Sequence, residues 1–299
     1  MVYWIIKLKH NYHIFILLKM WELKSWVDPS KLCGFYLSDN KNAIDYLTIN
    51  PYLIDWKNIS KNESAIDLIL QNKDKIDWHY LSLNKSAGYI LAKNMFCISW
   101  QNAVMNSSLI DMILHYDKHK YNYKSELYYM YNFNKNPHKR AIQYFLDNPE
   151  KIIWDSMSEN TSVIQICEQF GYSKLNWTSI SKNPDFIHIL LKYPEHIYWP
   201  LFSLNTSSVA IKYLRKHKHL IDWVFLSMNP AAEELILENL DKVCWATLSK
   251  NPIIFEFNTY KCSTVQRTQI YKEELIAVAM HPDRIKKYLD AGYSLYDII

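Results

Sequence analysis

His115 and His119 stand four residues apart. That spacing puts two imidazoles on one face of a helix, where they can share a metal ion. Asp117 and three neighbouring lysines make the segment read as a solvated loop rather than a metal site. Glu233 and Glu234 are adjacent, so on a helix they point in different directions and read as surface charge, not as an acid–base pair. There is no P-loop, no G-x-G-x-x-G, no G-x-S-x-G and no H-E-x-x-H anywhere in the sequence. Its five cysteines, Cys33, Cys97, Cys167, Cys244 and Cys262, form no C-x-x-C pair and are odd in number, which suits reduced core residues in a cytosolic or nuclear compartment. The expectation is a protein that is not an enzyme, with no catalytic residue, no metal and no cofactor.

The residues best suited to binding are basic and lie where the sequence pattern is irregular. They are Lys118, His119, Lys120 and Lys124 beside Tyr121 and Tyr123; His138, Lys139 and Arg140; and Arg215, Lys216, His217, Lys218 and His219. Basic side chains interleaved with tyrosine can track a phosphate backbone and stack bases, so an RNA or single-stranded nucleic-acid partner, or an acidic protein, is one reading. Three separate solvated loops are the other, and the favoured one. The net charge is +4, but Lys7, Lys9 and Lys19 precede any acid, leaving 4 − 3 = +1 from residue 20 onward. A duplex-DNA binder usually concentrates positive charge over a whole face.

The frame around these residues is a repeat. Trp56, Trp78 and Trp100 are followed by Trp154, Trp177, Trp199, Trp223 and Trp245. Six residues after each comes an asparagine: Asn62, Asn84, Asn106, Asn160, Asn183, Asn205, Asn229 and Asn251. An aliphatic residue stands two before each Trp, and a serine four after it in seven of these units, with Val104 the exception. The unit is [ILV]-x-W-x-x-Φ-S-x-N. Gly34 and Met130 occupy the Trp position of two degenerate units, ending in Asn40 and Asn136, which makes about ten units of 22–24 residues. The step from Trp100 to Met130 is 30, so about eight residues are inserted near 117–124, as a protruding loop or a kink.

Asn-Pro at 136–137, 183–184, 229–230 and 251–252 reads as a helix N-cap with proline in the first helical position. Asn50, Asn72, Asn94 and Asn239 suit left-handed C-caps ten residues later. A second, shorter helix starts at the polar residue before Trp, as at Asp55, Asp77, Ser99, Asn176 and Asp222. Helices this short are marginal alone, so stacking must stabilise them, with each Trp ring buried between units. The expected fold is all-α: an α-solenoid of paired short helices over 31–255, an N-terminal extension and cap over 1–30, and a C-terminal helical cap over 256–299. Solenoid ends need caps, and the product is an elongated, curved surface. A leucine-rich-repeat-like α/β solenoid, with a short strand at I-x-W, has a compatible period and also uses an asparagine ladder. The Ser and Asn positions read as capping and inter-unit hydrogen bonding, hence as scaffold.

The composition agrees with a packed fold. It is 49% hydrophobic with only 4 Gly, and 11 Trp with 23 Tyr supply more aromatic surface than can stay wet. Ile14 to Leu18 is apolar but too short for a transmembrane span, and no small-residue cleavage site follows, so the protein is expected to be cytoplasmic and not secreted. The residues after each Trp vary in type: Lys57-Asn58, His79-Tyr80, Gln101-Asn102, Thr178-Ser179 and Val224-Phe225. Those pairs are expected to face a protein partner.

Ile54-Asp55-Trp56, Ile76-Asp77-Trp78, Leu81-Ser82-Leu83-Asn84, Asn40 to Ile44, Ile254-Phe255, Glu274 to Ile276 and His281-Pro282 carry a resemblance over about residues 21–299. The sequence resembles the tandem-repeat proteins of giant DNA viruses of amoebae, mimivirus-like, built from units close to I-D-W-x-x-L-S-x-N-P-x-A-I-x-x-L. The resemblance implies a viral repeat scaffold, in host cytoplasm or virion, and no established activity. It also implies that residues 1–19 are an extension or the product of a mis-set start.

Overall fold

The structure is a computed structural model that describes residues 21–115 and 126–258. The protein divides into two compact bodies, one from Trp26 to Ile254 and the other from the segments on either side of it. In the latter, β1 (Trp21–Leu23) pairs antiparallel with β2 (Phe255–Phe257). Glu22 lies opposite Glu256, a like-charge pairing that weakens a ladder, while Asn258 Nδ2 donates to Glu22 Oε2 at 3.1 Å and the Trp21 and Phe257 rings meet edge-on at 5.2 Å. The expected helix pair between 273 and 289 lies outside the described residues.

The larger body is an all-α repeat solenoid of ten units, numbered here 1 to 10 by the asparagines 40, 62, 84, 106, 136, 160, 183, 205, 229 and 251. A short helix begins at the Trp position, as in Trp56–Lys61, Trp78–Leu81 and Trp177–Ile180. The preceding residue caps it: Asp55 Oδ1 accepts from Asn58 N–H at 2.8 Å, and Asp77 Oδ1 from Tyr80 N–H at 3.1 Å. The unit's asparagine then caps a 3-10 turn that runs into an α-helix, as in Ile187–Lys192, and a second 3-10 turn returns the backbone to the next Trp. In units 5 and 8 a two-residue expansion turns this arrangement into nine-residue helices, Lys139–Asp147 and Ser208–Lys216. Each takes a second cap: His138 Nδ1 accepts from Arg140 N–H at 3.2 Å, and Ser207 Oγ from Val209 N–H at 3.3 Å. The I-x-W segments are extended for a residue or two but form no strand among the described residues, so the α/β alternative does not arise.

Two local expectations are corrected. Asn50, Asn72 and Asn94 have φ of −123°, −128° and −126°, not left-handed values. Their Nδ2 groups donate to the carbonyl four residues back, Tyr46 O, Leu68 O and Ile90 O, at 2.9, 2.9 and 2.8 Å. The side-chain amide thus satisfies an orphan carbonyl that a left-handed turn would satisfy with backbone N–H, and leaves the backbone free to enter the next turn. The eight Trp rings are half-buried rather than enclosed. The enclosed residue is three further on, where Leu37, Ile59, Leu81, Met157, Phe202, Leu226 and Leu248 are fully buried. Ala43 with Leu47, Ala65 with Ile69, and Ala87 with Leu91 complete the core at i, i+4 spacing.

A hydrogen-bonded ladder joins the units. Asn62 Nδ2 donates to Ser38 O and Asn40 O at 2.9 and 3.1 Å, and Asn84 Nδ2 to Ser60 O and Asn62 O at 3.0 and 2.9 Å. The same amide's Oδ1 caps its own turn, as in Ser86 N–H to Asn84 Oδ1 at 2.9 Å. Each ladder serine donates to the carbonyl at its own Trp position and accepts a backbone N–H of the next unit, as Ser60 does with Trp56 O at 2.7 Å and Asp77 N–H at 3.1 Å. In unit 5, Asn134 replaces serine and reproduces both bonds: Nδ2 donates to Met130 O at 2.7 Å and Oδ1 accepts from Ile153 N–H at 2.9 Å.

The ladder has no free end. Asn40 Nδ2 donates to Ser249 O and Asn251 O at 3.0 and 2.9 Å, and Cys33 N–H donates to Ser249 Oγ at 2.9 Å. Unit 1 therefore sits on unit 10 in the register that unit 2 uses on unit 1, and the solenoid closes into a ring. The expected elongated surface with capped ends is replaced by mutual burial of the two end units. The repeat body also begins earlier than residue 31, since Val27 is buried and the turn Pro29–Lys31 belongs to unit 1. Most of the insertion lies outside the described residues, but the units flanking it keep the ladder. Asn132 Nδ2 donates to Gln101 O at 3.0 Å and Asn136 Nδ2 to Val104 O at 2.8 Å, so the two flanking units remain bonded to each other.

Candidate interaction surface

The residue immediately after the Trp position is exposed in Phe35, Lys57, His79, Gln101, Asp155, Thr178 and Val224. Its backbone is held fast. Asn58 Nδ2 donates to Phe35 O at 3.1 Å, Asn102 Nδ2 to His79 O at 2.8 Å, and Thr247 Oγ1 to Val224 O at 2.9 Å; Ser156 Oγ makes the equivalent bond to Tyr131 O. The pairs expected to face a partner therefore divide. The first member projects outward, whereas the second is a buried cross-unit strut in Asn58 and Asn102 and half-buried in Tyr80, Ser179 and Phe225. The result is a rank of chemically varied side chains on a rigid frame, which keeps the entropy lost on binding small.

Four residues beyond this rank, on the same face of the Trp turn, runs a row that sequence reasoning missed. Asp39 carries two lysines, Lys250 at 2.7 Å across the ring closure and Lys61 at 3.3 Å from unit 2, and Lys135 pairs with Glu159 at 2.9 Å. Leu83, Met105, Leu204 and Met228 fill other places in this row, half-buried. A further row covers the Trp faces from the next unit. Lys75 Nζ lies 4.7 Å from the Trp56 ring centroid, Lys174 5.5 Å from Trp154 and Lys242 5.6 Å from Trp223, and Lys31 lies 4.9 Å from Trp245 across the closure. Each such contact contributes roughly 0.5–1 kcal/mol. The sequence carried the signal, a lysine three residues before the Trp position in these units. At Gly34 no ring stands there, and the backbone of Leu53 closes in instead: a Cβ on Gly34 would lie 2.3 Å from Leu53 O.

Among the described residues the basic candidates lie at two separate places in the array. Lys139 and Arg140 open the long helix of unit 5, whereas Arg215 and Lys216 end that of unit 8 and Lys218 follows in the next turn. Carboxylates face most of them. Arg140 pairs with Asp111, Arg215 with Glu234 at 2.9 Å and Glu238 at 3.2 Å, and Lys218 with Glu238 at 3.9 Å. Lys118, Lys120 and Lys124 lie outside the described residues, as does His119. His115 Nδ1 donates to Asp111 O at 2.7 Å.

The thiols differ. Burial first, then the neighbouring Glu168 charge, pushes Cys167 up to about 11. Cys244 is drawn below the ordinary thiol value: partial burial opposes the shift, but hydrogen bonds from the Thr247 side chain and the Thr247 and Ala246 backbone outweigh it. Among the described residues no helix is long and apolar enough to cross a membrane.

Comparison with protein-family models, with curated proteins and with solved structures finds no match to this protein.

Proposed function

We propose that the protein is a noncatalytic ring scaffold for protein–protein interaction, with the exposed rank after the Trp positions as its recognition surface. The observation that carries this is the contrast within seven of the ten Trp turns: a buried, hydrogen-bonded and repeated frame beside one outward residue that differs from unit to unit. Solenoid proteins use such ranks to read extended partners. The resemblance to tandem-repeat proteins of giant viruses adds that the protein is viral and its partners are host or viral proteins, in host cytoplasm or the virion. The carboxylates facing Arg140, Arg215 and Lys218 weigh against a nucleic-acid surface, because phosphate contact would first have to displace them.

The test is affinity capture of the full-length protein from infected-cell lysate, with and without nuclease, beside the variant Lys57→Ala/His79→Ala/Gln101→Ala/Thr178→Ala. The proposal expects protein partners that survive nuclease and are lost from the variant while its melting temperature is unchanged. Partners that vanish with nuclease, or that the variant retains, would sink it.

A further inference from the structure

Asn Nδ2 reaches a carbonyl of the preceding unit at nine of the ten junctions, the closing one included. The junction between units 6 and 7 is the exception. Asn183 Oδ1 accepts from Asp185 N–H at 3.0 Å as its counterparts do, so its amide is oriented like theirs. Yet Nδ2 makes no hydrogen bond among the described residues, although Asn183 is only 8% exposed. The neighbouring strut position makes no cross-unit bond either, as at Tyr80 and Phe225, although Asn176 Nδ2 donates to Asp155 Oδ1 at 3.2 Å across the same junction. Ser179 occupies the position of Thr247, whose Oγ1 donates to Val224 O at 2.9 Å, but it makes no such bond to Asp155 O. The serine rung below is intact, with Asn176 N–H donating to Ser158 Oγ at 2.9 Å. The two units are therefore in register but open at the asparagine edge. A cavity of about 310 Å³ lies there, between Ser158, Glu159 and Thr161 on one side and Lys182, Asn183 and Asp185 on the other. Its size falls at the lower end of ligand sites.

Among the described residues, Asn183 Nδ2 and Ser158 O, which both line this opening, lack the protein partners that Asn84 Nδ2 and Ser60 O find in each other. The group that restores both is one with an acceptor and a donor side by side. An anion supplies no donor, and the Glu159 and Asp185 carboxylates oppose it. We propose that this opening binds an extended peptide segment of the partner, whose backbone carbonyl accepts from Asn183 Nδ2 and whose backbone N–H donates to Ser158 O. The partner's own amide then completes the missing rung. This rests on the reading of the ring as a protein-interaction scaffold and gives that partner an anchor point.

The experiment titrates the isotope-labelled full-length protein with N-acetyl-trialanine amide, an uncharged backbone probe, and separately with acetate, following side-chain amide resonances. The expected result is a saturable shift of the Asn183 NH2 pair with the peptide, little movement of those of Asn84 and Asn106, and binding about tenfold weaker or more in Asn183→Ala. Response to acetate alone, equal shifts at all ladder asparagines, or no saturable shift overturns the assignment. Stability gives an independent check. Asn183→Ala forfeits only a cap and should melt within about 3 °C of the parent. A drop as large as that of Asn84→Ala would show that the amide already bridges to unit 6, and would overturn the site. Partner capture separates the two readings: partners captured through the exposed rank with no peptide shift leave the scaffold standing and remove this site, whereas a peptide shift without any captured partner keeps the site and removes the rank.

Discussion

Asn40→Ala tests ring closure, because the residue is either the first rung of an open array or one rung among equals. In the structure it makes three bonds: Nδ2 to Ser249 O at 3.0 Å, Nδ2 to Asn251 O at 2.9 Å, and Oδ1 from Asn42 N–H at 3.0 Å. Asn84 makes the same three within the array, to Ser60 O, Asn62 O and Ser86 N–H. Loss of the cap costs about 1 kcal/mol. Each buried carbonyl stripped of its amide adds roughly 1–2 kcal/mol. The total is about 3–5 kcal/mol for either variant. At about 2–4 °C per kcal/mol for a body of this size, both should melt on the order of 10 °C below the parent. If the array were open in solution, Asn40 would supply only its cap, and Asn40→Ala would lose about 3 °C while Asn84→Ala still lost about 10 °C. Thermal unfolding followed by far-ultraviolet circular dichroism distinguishes the cases. A small effect at Asn40 beside a large one at Asn84 refutes closure, and small effects at both refute the ladder's role in stability.

Three further outcomes follow from single contacts. Gly34→Ala should destabilise by about 1–3 kcal/mol in chemical denaturation, because its Cβ would lie 2.3 Å from Leu53 O and backbone must shift to admit it; a neutral result would show that units 1 and 2 are not in close contact. Asn134→Ser should recover at least half of the roughly 2 kcal/mol lost in Asn134→Ala, since serine makes the same pair of bonds in the other units; equal losses would refute the equivalence. In timed alkylation at pH 8 read by mass spectrometry, exposed Cys97 and Cys244, whose thiol is shifted toward ionisation, should react before Cys167. The last is buried and, with its value near 11, still protonated at that pH; early modification of Cys167 would contradict its burial.

What could be read from the sequence was whatever depends on near neighbours along the backbone. The unit, its period, the cap before Trp and the asparagine cap with proline behind it all rest on bonds spanning two to four residues, as Asp55 to Asn58 and Asn183 to Asp185 show. The spacing of Ser and Asn to Trp fixed their structural role for the same reason. The C-cap geometry was misread because an asparagine can satisfy a helix end with its side chain instead of a left-handed backbone, and residue type alone does not choose between them.

Tertiary structure decided the rest. Closure depends on the summed rotation across ten junctions, each too small to be legible in one unit, and it shows only in contacts between the end units, such as the bonds from Asn40 to Ser249 and Asn251. Trp56, Trp154, Trp223 and Trp245 have lysines over their half-buried rings in place of apolar core. The basic residues at Arg140 and Arg215 lose their apparent patch to carboxylates that are distant in sequence or on the next helix. The open rung at Asn183 falls at the one step of 23 residues, from Asn160 to Asn183, where the other steps are 22, 24 or 30, but the spacing alone does not say which bond is lost. Whether an added residue is absorbed in a turn or opens a rung is set by packing between the units, not by residue identity.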